Sequence, residues 1–165
     1  MRSLHLSLRV RLLLLAALLV PVAAPAAAQS DADIAKVVSL MQAGNFNYQT
    51  TRSSSVWTIH FIGSHLKDIK VVVAVGGQSD INLVVFVTVT EKRRMPISTD
   101  FMRMLLEENH NLDRVKIGYD ADGDLEVRVD AMLRVTDAAE FQSIINQVKT
   151  SSDEIYGTIE PQLLP

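Results

Sequence analysis

The sequence predicts an α+β fold: an antiparallel sheet with three helices, in the order α-β-β-β-β-α-β-β-α. Three observations predict it. Apolar residues recur at the helical period in three stretches and at a period of two in six others. The period-two stretches follow one another through short polar connections. One of these, Asp120-Ala121-Asp122-Gly123-Asp124, is a tight turn of Asp-Gly type.

Taken in order, Ile34, Val37, Val38 and Met41 share one face of a first helix over about residues 31–43. Ser30 is placed to cap it, Asp31 and Asp33 suit its positive end, and Gly44 closes it. From Phe46 the period falls to two. Tyr48 follows, and after the Ser53-Ser54-Ser55 turn, Trp57, Ile59 and Phe61 face one way and Thr58 and His60 the other. Ile69 to Val75 and Ile81 to Val89 are two further strands, joined by the polar, glycine-rich Gly76-Gly77-Gln78-Ser79-Asp80. The second of them carries Ile81, Leu83, Val85, Val87 and Val89 on one face and Val84 and Phe86 on the other. Both faces call for cover, as in a central strand.

Pro96 ends the sheet pattern. Ser98 or Thr99 caps a second helix whose stripe holds Phe101, Met102, Met104, Leu105 and Leu106, and Asn109-His110-Asn111 ends it. Val115, Ile117 and Tyr119, then Leu125, Val127 and Val129, form the Asp-Gly hairpin. Thr136-Asp137 opens the third helix, with Glu140 in the capping-box position. Phe141, Ile144, Ile145, Val148, Ser152, Ile155 and Ile159 follow its period. Gly157 weakens the last turn and Pro161 stops it.

Residues 1–11 hold Arg2, Arg9 and Arg11 and no acid, and residues 12–20 are an unbroken apolar run. That run is well short of the ~20 apolar residues a membrane span needs. With Ala26-Ala27-Ala28 behind it, it reads as a secretory signal peptide cut after Ala28. The expectation is a leader over residues 1–28 and a single domain over 29–165, periplasmic or secreted, with no membrane span after cleavage. Loss of the leader leaves 13 Lys and Arg against 19 Asp and Glu, a net charge of about −6. Such a chain is a poor partner for nucleic acid, which needs clustered cations. The one basic cluster, Lys92-Arg93-Arg94, lies between a strand and a helix and reads as a solvated turn.

The chain has no cysteine, which excludes disulfides, thiolate metal sites, iron–sulfur clusters, lipidation at cysteine and a thiol nucleophile. Asp120, Asp122 and Asp124 do not make a calcium loop, because positions six and twelve are Leu125 and Ala131. His60, His65 and His110 lack ligand spacing. Gly76-Gly77-Gln78-Ser79 is neither a nucleophile elbow nor a phosphate loop. The reading is therefore no enzyme and no cofactor.

The stretch from Leu105 onward resembles the YbjN-domain family, also described as sensory-transduction-regulator-like. The resemblance rests on the helix ending at Asn109, the extended Ile117-Gly118-Tyr119, the Asp122-Gly123 hairpin and the final helix with Asp153-Glu154-Ile155-Tyr156. With the upstream elements it spans about residues 31–163. It implies a type III secretion chaperone-like fold, which often dimerises and presents grooves to protein segments, and it supplies no catalytic residues. The expected function is an exported binding protein that holds a protein or peptide segment as a homodimer. Val84, Phe86, Met102 and Leu106 are the candidate partner-binding or dimer surface. The alternative is an envelope or stress-related protein that binds a small apolar ligand between sheet and helices.

Overall fold

A computed structural model describes residues 26–76 and 80–165. The leader expected over residues 1–28 lies outside the described residues up to residue 25, as do residues 77–79 of the glycine-rich connection. The described elements are α1 (Ala26–Ala43), β1 (Tyr48–Thr50), β2 (Val56–Phe61), β3 (Ile69–Val75), β4 (Leu83–Thr90), α2 (Thr99–Asn111), β5 (Lys116–Tyr119), β6 (Leu125–Ala131) and α3 (Ala138–Ile159). This is the α+β order expected from the sequence. Short 3₁₀ turns at Lys92–Arg94, Leu133–Val135 and Glu160–Gln162 are added to it.

The sheet runs β1-β2-β3-β4-β6-β5 and every neighbouring pair is antiparallel. β4 is central, and its two faces differ. Leu83, Val85, Val87 and Val89 are buried, while Val84 and Phe86 are half-buried. The register carries the same split across the sheet. Val73, Val85 and Val129 pair in one row and are buried, and Val71, Trp57, Ile59, Leu125 and Val127 join them on the same face. α3 covers this face, with Phe141, Ile144, Ile145, Val148, Ser152, Ile155 and Ile159 all turned inward. α1 packs beside α3 through Val37, Leu40 and Met41. Ser152 is tolerated there because its buried hydroxyl donates to the Val148 carbonyl at 2.6 Å.

The caps of the second and third helices follow the sequence. Ser98 Oγ accepts the Phe101 amide at 3.1 Å, and Asp137 Oδ1 accepts the Glu140 amide at 2.8 Å. Three local expectations are corrected. α1 spans Ala26–Ala43 and so includes the five residues before Asp31, alanine being the strongest helix former, and Ser30 lies within the helix and not at its N-cap position. Its end is set by Asn45, not Gly44. Asn45 takes the left-handed conformation (φ 52°), the Phe46 amide donates to Met41 and the Asn45 amide to Gln42, as in a Schellman motif. Gly44 is required for another reason: a Cβ there would meet the Phe46 ring at 2.5 Å. The second helix runs through Asn111 and leaves it in extended backbone at Leu112, with no left-handed Asn; Asn109 instead gives its side-chain oxygen to the Ile117 amide of β5 at 2.9 Å.

Two polar joints bind the layers. Asn82, just before β4 and buried, donates to Asp33 of α1 at 2.8 Å and accepts the Leu133 amide at 3.1 Å. Lys36 of α1 donates to the Leu133 carbonyl at 2.6 Å, so the turn leading into α3 is held from both sides. Asn82→Ala leaves the Leu133 amide buried without its acceptor. It is expected to lower stability by about 1–2 kcal/mol, read as a drop in the urea midpoint at unchanged slope. The second joint lies at the far end of α3. Asp153 accepts the amides of Ser64, His65 and Leu66 at 2.8, 2.9 and 2.8 Å, clasping the loop between β2 and β3.

Candidate partner-binding surfaces

The four surface residues read from the sequence divide between two surfaces. Val84 and Phe86 belong to the sheet face opposite the helices. Phe86 pairs with Val72 on β3 and Arg128 on β6, and Val84 with Ala74 and Asp130. Val56, Val72, Ala74, Val84 and Phe86 thus form a half-exposed apolar centre. It is bounded on β6 by a charged ladder, in which Arg128 binds Glu126 at 2.7 Å and Asp130 at 2.6 Å. Glu126, Arg128 and Asp130 share this face because residues two apart on a strand project the same way. The hydrogen bonds that Arg128 donates to Asp130, with further help from Glu126, outweigh burial and raise the guanidinium pKa further, so Arg128 stays charged. Two acids against one cation leave the ladder with one net negative charge.

Met102 and Leu106 lie on the helical side. Tyr119 belongs to the covered-face row, since it pairs with buried Leu125, and its hydroxyl donates to Met102 Sδ at 3.1 Å. That contact fixes α2 over β5. Phe101 and Leu105 fill the interior, Met104 packs against the core edge, and Met102 and Leu106 face solvent, 43% and 68% exposed. Burial raises the Tyr119 pKa, which keeps the phenol protonated and available as a donor.

Beside α2 lies a groove of about 1270 Å³. Its apolar lining is Met95, Pro96, Ile97, Met102, Tyr119 and Leu164, and its rim carries Glu91, Lys92, Arg93 and Asp124. Ile97 is fully exposed. Sequence reading missed Ile97, Tyr119 and Leu164 as surface determinants. A signal for Ile97 was present. It stands immediately before the Ser98 cap, where an apolar residue ordinarily staples onto the residue four into the helix, here Met102. A fully exposed Ile97 makes no such staple.

The remaining candidates scatter. His60 Nδ1 lies 2.8 Å from Asp68, the His65 ring sits where a side chain at Gly157 would strike it, and His110 is on the exposed end of α2. In the Asp120–Asp124 turn, Asp120 Oδ1 accepts the amides of Asp122 and Asp124, and Asp124 Oδ1 accepts the Lys92 amide. Those acids shape the hairpin and tie it to the basic turn. Among the described residues no three His, Asp or Glu side chains converge as a metal-ligand set.

No protein-family model and no curated protein matches this chain. Solved structures do. A chain in the crystal structure of the ExsC–ExsE complex superposes with a TM-score of 0.54 at 8% identity, covering 78% of this chain and 93% of that one. A chain of the heterodimeric ExoU–SpcU complex, from the type III secretion system of Pseudomonas aeruginosa, gives a TM-score of 0.47 at 17% identity, covering 69% and 87%. The likeness to the ExsC–ExsE chain establishes a shared fold, and that fold is the α+β architecture of antiparallel sheet and three helices expected from the sequence.

Proposed function

We propose that this protein is a non-enzymatic, chaperone-like binding protein that holds a segment of another protein in the groove beside α2. One observation carries the reading: a groove of about 1270 Å³ whose lining includes fully exposed Ile97 and half-exposed Met102, Tyr119 and Leu164. Contiguous exposed apolar surface rimmed by polar groups marks interaction sites. The fold shared with a member of a two-protein complex supports it. Membership of the YbjN-domain family is part of this proposal and rests on the sequence resemblance in the Asp122-Gly123 hairpin and the last helix.

A small apolar ligand between sheet and helices is less well supported, because that space is occupied by Phe101, Phe141, Met41, Ile144 and Ile145, all essentially inaccessible. The finer reading adds export and self-association. A cut after Ala28 would start the mature chain at Gln29 and keep the core residues of α1. Mass spectrometry of the exported protein is expected to find that N-terminus. Val84 and Phe86, on the open sheet face, are the proposed homodimer contact. Size-exclusion chromatography with light scattering is expected to give twice the chain mass.

Ile97→Asp tests the groove. Because Ile97 is fully exposed, its replacement leaves the fold intact, while a charge at a buried contact is expected to weaken partner capture by about 10- to 30-fold. Capture by immobilised protein, compared with wild type at equal thermal midpoint, measures it. Undiminished capture by the variant refutes the groove as the binding site.

A further inference from the structure

We propose that Met102 is a reversible oxidation site, and that its sulfoxide weakens the hold of the groove beside α2 on an apolar segment; this regulation rests on the segment-holding reading. The chain has no cysteine, so thioether sulfurs are the softest nucleophiles that an oxidant meets. Met41, Met95, Met102, Met104 and Met132 lie among the described residues. Met41 and Met95 are buried. Met104 Sδ takes a donor, Gln162 Nε2 at 3.1 Å, but its side chain is half-buried against the core. Met102 and Met132 are exposed, Met102 the more so. Met132 lies outside the groove lining, and Met102 is part of it.

The Met102 sulfur already stands beside a donor. The Tyr119 hydroxyl donates to Met102 Sδ at 3.1 Å. A thioether accepts weakly, whereas a sulfoxide is polar and its oxygen is the better acceptor. A peroxide supplies that oxygen. A sulfur lone pair attacks one peroxide oxygen, the O–O bond breaks, an S–O bond forms and water leaves. The sulfur gives up two electrons and the peroxide takes them. Tyr119 is exposed enough to turn its hydroxyl to the new oxygen, which keeps α2 over β5. Tyr119 is thus a positioning residue.

The phenol meets one lone pair of the sulfoxide oxygen. The other stays in water in the free groove. An apolar segment seated beside Pro96 and Ile97 strips that water and leaves the oxygen short of a partner, at a cost that converts to about tenfold in affinity. A dithiol-dependent methionine sulfoxide reductase restores the thioether: the oxygen leaves as water and the dithiol closes to a disulfide.

Hydrogen peroxide titration of the full chain, followed by peptide mass mapping, tests the site. Fluorescence anisotropy with a labelled decapeptide of alternating leucine and glutamine tests the effect. Both use the Met132→Leu variant, so that Met102 is the exposed methionine left among the described residues. Met102 is expected to gain one oxygen well before Met41 and Met95. The peptide is expected to bind about tenfold more weakly after that gain and to recover its affinity after reductase treatment. With Met102→Leu added, the same peroxide dose is expected to leave that variant's affinity where it was before treatment. With Tyr119→Phe, oxidation is expected to lower the urea midpoint further than it does with Tyr119 present, because no phenol receives the oxygen. An equal drop overturns the role of Tyr119. Oxidation of Met95 ahead of Met102, or a loss of affinity that persists in Met102→Leu, overturns the proposal. Equal binding by the reduced and oxidised forms also overturns it and leaves the segment-holding reading intact. Binding by neither form overturns both.

Discussion

Phe141→Ala is expected to produce the largest stability loss of any single truncation considered, about 3–5 kcal/mol. Phe141 is 0% exposed in the first turn of α3. Its ring meets Phe46 edge-to-face, with centroids 6.0 Å apart and planes at 74°. Phe46 is the residue just past the left-handed Asn45 that ends α1, and its ring lies over Gly44. The pair therefore pins the end of one helix to the start of another. Deleting the Phe141 ring removes buried area, opens a cavity in a close-packed interior and frees the α1 terminus. Urea denaturation reads the loss as a lower midpoint. A double-mutant cycle with Phe46→Ala separates the ring–ring contribution, expected at about 0.5–1.5 kcal/mol beyond the burial of each side chain. A loss at Phe141 below about 1 kcal/mol would mean that the α1–α3 junction is not the packed core described.

The core was legible because it is periodic. Leu83, Val85, Val87 and Val89 alternate as a strand requires, and the α3 stripe from Phe141 to Ile159 repeats as a helix requires; every one of these residues is buried. The caps at Ser98 and Asp137 were legible because a single side-chain oxygen meets a single nearby amide. What was not legible depends on residues far apart in the chain. Asn82 reads as one polar residue in an apolar run, and only the fold brings Asp33 and Leu133 to it. Val84 and Phe86 and the helix residues Met102 and Leu106 were read as one surface because the strand is apolar on both faces and the second helix carries an apolar stripe. Strand order separates them: β6 inserts between β4 and β5, which carries α2 to the edge on the covered side while Val84 and Phe86 face the other way. The basic turn was read as a solvated connection, which is local and correct as far as it goes. That Leu164 and the β5–β6 hairpin would come to lie beside it is a product of topology.

Asp153→Ala is the second large effect, expected at about 2–4 kcal/mol from the loss of three charge-assisted hydrogen bonds, discounted because the loop is partly wetted. The loop Ser64-His65-Leu66 turns its amides toward one carboxylate on α3, and the approach is close on both sides. A Cβ at Gly63 would stand 2.2 Å from Asp153 Oδ1, and one at Gly157 would stand 2.7 Å from the His65 ring. Both glycines are therefore sites where even Ala should loosen the clasp. The acid dependence follows from the carboxyl. Partial burial pushes its pKa up, but the amides of Leu66, His65 and Ser64 together overcome that and hold it below the ordinary value. A carboxyl depressed in the folded state stabilises the fold fully above the ordinary carboxylate pKa of about 4 and loses that contribution as pH falls through the depressed value. Wild type should accordingly exceed Asp153→Asn in stability at neutral pH, and the gap should close on acidification below about pH 4. Parallel urea titrations between neutral and acid pH measure it. A gap independent of pH would show that Asp153 acts by shape and not by charge. Amide hydrogen exchange at Ser64, His65 and Leu66 should rise in Asp153→Ala well above the change at α3, because the clasp opens locally before the helix does.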